Sequence, residues 1–148
     1  MPRYTFTYPS VLDAGSSMYD HLMEVMEANQ VDPQLSQRCM LVISEAFTNA
    51  YLHGNKKIPE KRIIVNLTIN SDWVSADIID EGSGEWQKAR NITTGTAILP
   101  DSNAENGRGI ALMKHYAANI AFTEASGGGL KVTIRMKRGE QTKMENTK

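Results

Sequence analysis

Glu45 and Asn49 stand four residues apart in the stretch LVISEAFTNAYLHG, Leu41 to Gly54. On a helix that spacing stacks them on one face. The same face carries Val42 and Ala46, so a carboxylate and an amide are placed where a soluble helix normally buries carbon. Two readings are open. Either each is a structurally satisfied buried polar residue, the common case, or the pair is a site in which Glu45 acts as a general base beside a metal-ligating Asn49. A further carboxylate, Asp80, ends a run whose other same-face residues are Val74, Ala76 and Ile78. It is followed by Gly82 and Gly84, which allow positive φ and close backbone approach to a ligand. Gly107-Arg108-Gly109 opens another helical pattern, and a glycine-flanked helix start offers free N–H groups and a positive dipole end to an anion such as phosphate. These residue types fit nucleotide chemistry. A buried carboxylate can accept from an exocyclic amine, glycines can admit a ring, and an amide oxygen suits Mg²⁺, which prefers oxygen ligands.

The elements that must position these residues follow from periodicity. Tyr4, Phe6 and Tyr8 alternate with Thr5 and Thr7 as a short strand ending at Pro9. Ser10 and Asp13 form a weak capping signature ahead of a helix marked by Met18, Leu22, Val25 and Met26. Asp32-Pro33 is a good start for a second helix, whose stripe runs Leu35, Cys39, Val42, Ala46, Asn49, His53. Gly54 is expected to close it in a left-handed cap, and residues 55–60 read as a solvated connector. The methionines Met18, Met23, Met26 and Met40 read as core filler, Cys39 as a helix-packing residue, and His53 as a helix-end residue. Ile63, Val65, Leu67 and Ile69, then Val74, Ala76, Ile78 and Asp80, form a hairpin. Regular patterning fails from Glu85 to Asn106, a length that points to a lid or binding loop. A third helix from Gly107 carries Ile110, Met113 and Ala117. A second hairpin pairs Ile120, Phe122 and Glu124 with Leu130, Val132, Ile134 and Met136. The order implies a two-layer α/β (α+β) sandwich: a mixed, mostly antiparallel sheet with its helices on one face. Residues 1–138 read as a single domain and 139–148 as a polar tail.

With 148 residues, 41% hydrophobic and 22% charged, the chain is long enough for one domain with a real core. The formal charge of -1, with basic and acidic residues interspersed, argues against nucleic acid as a partner. One cysteine excludes an intrachain disulfide framework. Neither a signal segment nor an apolar run of membrane-spanning length is present. A reduced, cytoplasmic protein without a membrane partner is expected.

Glu45-x-x-x-Asn49-Ala50, Asp80-x-Gly82-x-Gly84 and Gly107-Arg108-Gly109-Ile110-x-Leu112-Met113, in this order and spacing, resemble the N box and the two glycine boxes of the GHKL (Bergerat-fold) ATPases. SEAFTNAYLHG and NGRGIALMKHYA are most similar to the small anti-sigma-factor serine/threonine kinases of bacterial partner-switching systems. The resemblance implies a Bergerat ATP-binding fold with ATP and Mg²⁺ as cofactors. It makes Glu45 the catalytic base, Asn49 the Mg²⁺ ligand and Asp80 the adenine-amine partner. Gly82 and Gly84 would form the adenine pocket, Gly107, Arg108 and Gly109 the phosphate site, and the Glu85–Asn106 loop the ATP lid. The implied circuit is a homodimeric kinase that phosphorylates a STAS-domain anti-anti-sigma protein and alternately sequesters a sigma factor. The sequence departs from the family at Glu85-Trp86, where Phe-Asp is frequent, and at Asn119, where an acidic residue is common. The sequence has no Walker motif and hence no P-loop mechanism. A runner-up is an ATP-binding regulatory module without phosphoryl transfer, since the same pocket could serve either role. A severed histidine-kinase ATPase domain is the weaker third, because the chain starts with its own Met1 and a strand.

Overall fold

The computed structural model describes residues 2–82 and 113–139. Strand β1 (Arg3–Pro9) is followed by helix α1 (Ala14–Ala28), helix α2 (Pro33–Asn49) and a π turn (Ala50–Gly54) that continues α2. Then come β2 (Arg62–Ile69), β3 (Trp73–Ile79), β4 (Asn119–Glu124) and β5 (Leu130–Lys137). The five strands form one sheet in the order β1-β2-β3-β5-β4, and every neighbouring pair is antiparallel. Residues 113–116 are helical.

The predicted alternation sets the faces. Ile63, Val65, Leu67, Ile69, Val74, Ala76, Ile78, Val132, Ile134 and Met136 are all buried on the side of the sheet that meets the helices. Leu22, Met18 and Met26 from α1 and Cys39, Val42, Ile43 and Ala46 from α2 close the core from above. Met113 packs into the same core. Burial is therefore what turns two helical stripes and five alternating strands into a two-layer α/β sandwich. β1 is tied to α1 by the Tyr8 hydroxyl, 2.7 Å from His21 Nδ1, and burial pushes the Tyr8 phenol up to about 12. The uncovered face is polar around Trp73, with the Arg135 guanidinium 3.9 Å from its ring centroid, a cation–π contact.

Helix α2 begins as its sequence predicts. Asp32 Oδ2 accepts from Leu35 N at 3.3 Å, and Pro33 takes the first helical position, where a missing N–H is harmless. Ser10 departs from expectation, because its hydroxyl donates to Lys61 O at 2.7 Å and Asp13 makes no side-chain cap at α1. Gly54 departs as well. It is not left-handed; the positive φ values fall on Lys56 at 53° and Lys57 at 62°, and the helix leaves through the π turn, with Asn55 N donating to Ala50 O at 2.7 Å.

Candidate functional site

The site is built where the end of α2 runs alongside the end of β3. Asp80 follows β3 by one residue, on the face that carries Val74, Ala76 and Ile78, and only 4% of it is exposed. Two backbone groups hold one of its oxygens: Oδ1 accepts from Gly82 N at 2.9 Å and from Leu130 N at 3.0 Å. Asp80 N in turn donates to Leu130 O at 3.0 Å. The other oxygen, Oδ2, has no hydrogen-bond partner among the described residues. Burial raises the Asp80 carboxyl above the usual carboxylate range, opposed by the Leu130 and Gly82 N–H groups and the charge of Lys61.

Three glycines make this burial possible. A Cβ on Gly54 would collide with Asp80 Oδ2, one on Gly129 with the Asp80 backbone oxygen and Oδ1, and one on Gly82 with the Gly54 carbonyl. Gly82 emerges from the sequence as a site residue, whereas Gly54 reads there as a helix cap and nothing in local pattern singles out Gly129. Their true requirement is close approach, and it is invisible in local pattern because the two chain segments that meet are distant in sequence.

Asn55 is likewise invisible in local pattern. Expected in a solvated connector, it is instead fully buried. Its Nδ2 donates to Ser10 Oγ at 2.7 Å and Arg62 O at 2.9 Å, while its Oδ1 accepts from Glu81 N at 2.7 Å. Glu81 then reaches back to β2, with Oε1 accepting from Arg62 N at 2.6 Å and Oε2 pairing with Arg62 Nη2 at 2.8 Å. That pairing holds the Glu81 carboxyl below its ordinary range.

Glu45 and Asn49 are half-buried, not sealed in the core. At 100° per residue they lie on the flank of α2 opposite the one that meets α1. Ser44, Phe47 and Thr48 occupy the α1 side and line, with Met18 and Tyr19, a groove of about 380 Å³ between the helices that does not include Asp80. Neither Glu45 nor Asn49 makes a side-chain hydrogen bond to a described residue. His53 is half-buried on the π turn. Cys39 is fully buried, and burial pushes its thiol up to about 12, so it is inert packing. Gly84, Gly107, Arg108 and Gly109, the Glu85–Asn106 loop and residues 140–148 lie outside the described residues.

The residues present fit a nucleotide with its metal. A buried carboxylate with one oxygen pinned by two backbone N–H groups and the other without a hydrogen-bond partner among the described residues matches an amine-bearing ring. Among the described residues no cluster of three or more His, Cys, Asp or Glu forms a cation cage. Asn49 offers an amide oxygen, a ligand type that suits Mg²⁺.

Comparison with known proteins covers most of the chain. Over 113 residues it is 28% identical to the anti-sigma F factor of Clostridium beijerinckii, covering 73% of this chain and 76% of that one. It is 27% identical to the anti-sigma F factor of Bacillus subtilis, covering 72% and 73%. Among solved structures it resembles the RsbU and RsbW domains of a Mycobacterium tuberculosis protein at a TM-score of 0.66 and 19% identity, covering 94% of this chain and only 34% of that longer one. It also resembles a chain of the SiaB-SiaC complex from Pseudomonas aeruginosa at a TM-score of 0.61 and 18% identity, covering 90% and 89%. These structural likenesses carry the fold. The histidine kinase-like ATPase domain matches residues 9–136, from the end of β1 almost to the end of β5, and the chain belongs to that family, of the GHKL type.

Proposed function

We propose that this chain is an ATP-dependent serine/threonine-protein kinase of a partner-switching system, acting as a homodimer on a STAS-type anti-anti-sigma protein and alternately sequestering a sigma factor. The observation that carries the nucleotide part is Asp80: a buried carboxylate with Oδ1 fixed by two backbone N–H groups and Oδ2, packed against Gly54, without a hydrogen-bond partner among the described residues. Family membership and the anti-sigma F factor relatives support the rest.

In this mechanism Asp80 Oδ2 accepts from the adenine amine. Asn49 would hold Mg²⁺ through its amide oxygen, and the ion would supply charge neutralisation at the phosphates. Gly107, Arg108 and Gly109 hold the phosphates, and Gly82 and Gly84 shape the adenine pocket. Glu45, one turn before Asn49, takes the proton of the incoming serine or threonine hydroxyl as the phosphoryl group is transferred, a general-base contribution typically of order 10² to 10⁴ in rate. The partner-switching reading implies a cytoplasmic protein, and, separately, among the described residues no helix is long and apolar enough to cross a membrane.

The test is incubation with γ-labelled ATP and a STAS-domain partner. The parent chain is expected to label the partner, and Glu45→Gln to bind ATP yet lose transfer by at least 10²-fold. Glu45→Gln labelling at the parental rate would remove Glu45 from the base role. Label that never reaches protein, even with the parent, would make this a regulatory module that binds ATP without transfer.

A further inference from the structure

We propose that Asn55 is a positioning residue for base recognition: its side-chain amide locks the peptide after Asp80 to the end of α2, and so fixes where Asp80 Oδ2 presents itself. The inference rests on the reading of Asp80 as the acceptor for an adenine amine.

Two adjacent contacts carry it. Gly54 packs against the Asp80 carboxylate, and the next residue, Asn55, accepts from the N–H of the next residue along, Glu81, at 2.7 Å. Asp80 is thereby held at two points, by Asn55 Oδ1 on the N–H of the peptide that follows it and by Leu130 N on its carboxylate at 3.0 Å. Both Asn55 donors are used as well, on Ser10 Oγ at the end of β1 and on Arg62 O at the start of β2. One buried amide thus ties three strand ends to the π turn that follows Asn49. Only a neutral amide fits. The Arg62 carbonyl requires a donor, Glu81 N requires an acceptor, and full burial makes any unmet group costly. A simple structural brace would stabilise the fold without altering which base is preferred. A positioning residue alters the preference.

The full-length parent, Asn55→Asp and Ser10→Ala are titrated calorimetrically with ATP and with purine riboside triphosphate, which lacks only the 6-amino group. Thermal unfolding is followed in parallel. The parent is expected to prefer ATP by about tenfold or more, the worth of one charge-assisted hydrogen bond. Asn55→Asp keeps the acceptor for Glu81 N but sets a carboxylate oxygen against Arg62 O. Its preference for ATP is expected to fall to within about threefold, with affinity for the amine-free nucleotide nearly unchanged. Ser10→Ala removes one of the two acceptors of Nδ2 and is expected to lose part of the preference, and it carries the test alone should Asn55→Asp fail to fold. Parental selectivity in the folded variants, or equal weakening toward both nucleotides, would overturn the proposal. A parent that binds both nucleotides alike would overturn the Asp80 reading itself, and is distinguished because it shows before any substitution is made.

Discussion

Taking a carboxylate out of water disfavours its ionised form, and at Asp80 two N–H bonds to Oδ1 only partly offset that. Because the folded-state pKa is raised, ionised Asp80 opposes folding above its ordinary titration range, and this penalty fades as pH falls through the raised value. Nucleotide binding has the opposite sign: the amine needs the ionised acceptor, so affinity is full above the raised pKa and falls as pH drops through it. ATP titrations across mildly acidic pH should therefore show affinity declining at a higher pH than an ordinary carboxylate would give. Asp80→Asn removes the buried charge while keeping an oxygen for Gly82 N and Leu130 N. At neutral pH without nucleotide its thermal midpoint should equal or exceed the parent's, which differential scanning calorimetry would check. A midpoint lower by several degrees would mean that the charge serves the fold instead of a ligand. The place of Asp80 was legible in the sequence because strand side chains alternate with a period of two. Asn55 was not, because its value lies in Ser10, Arg62 and Glu81, brought to it only by the folded sheet.

The π turn at Ala50–Gly54 is the element on which the geometry depends, since it carries the end of α2 against residues 80–82. Such widened turns are frequent at functional sites. A single methyl group at Gly54 would overlap Asp80 Oδ2, so Gly54→Ala should destabilise the fold by about 1–3 kcal/mol through overpacking and weaken ATP binding as Asp80 is displaced. Gly15→Ala is the matched control. No described residue lies within 4 Å of a Cβ there, and a helical glycine replaced by alanine should be neutral or stabilising by up to about 1 kcal/mol. Urea denaturation of both variants decides the matter; equal stabilities would refute the close-approach account. Strands and helices were legible as elements because one face of each is apolar. The π turn was not, because one extra residue in a helical turn leaves no periodic trace over so short a span, and a terminal His-Gly pair reads equally well as an ordinary cap.

At the scale of the whole molecule, one sheet face is covered by α1 and α2, and the core is continuous across β1, β2, β3 and β5. We propose that residues 1–138 fold as one domain. Leu22, 0% exposed between the layers, should on replacement by Ala cost about 2–5 kcal/mol and shift a single unfolding transition as a whole; two separated transitions would contradict the proposal. The two-layer fold was legible because the element order and alternation admit few other packings, whereas the division of roles between the site's two ends depends on contacts across the layers. Those roles separate in one experiment, ATP titration of the parent, Asp80→Asn and Glu45→Gln under identical conditions. Asp80→Asn should weaken binding by about tenfold or more, the loss of a charge-assisted hydrogen bond, and Glu45→Gln should bind as the parent does. If Asp80→Asn binds like the parent, or Glu45→Gln abolishes binding, Asp80 is not the base acceptor or Glu45 is a structural carboxylate, and the account of this site is wrong.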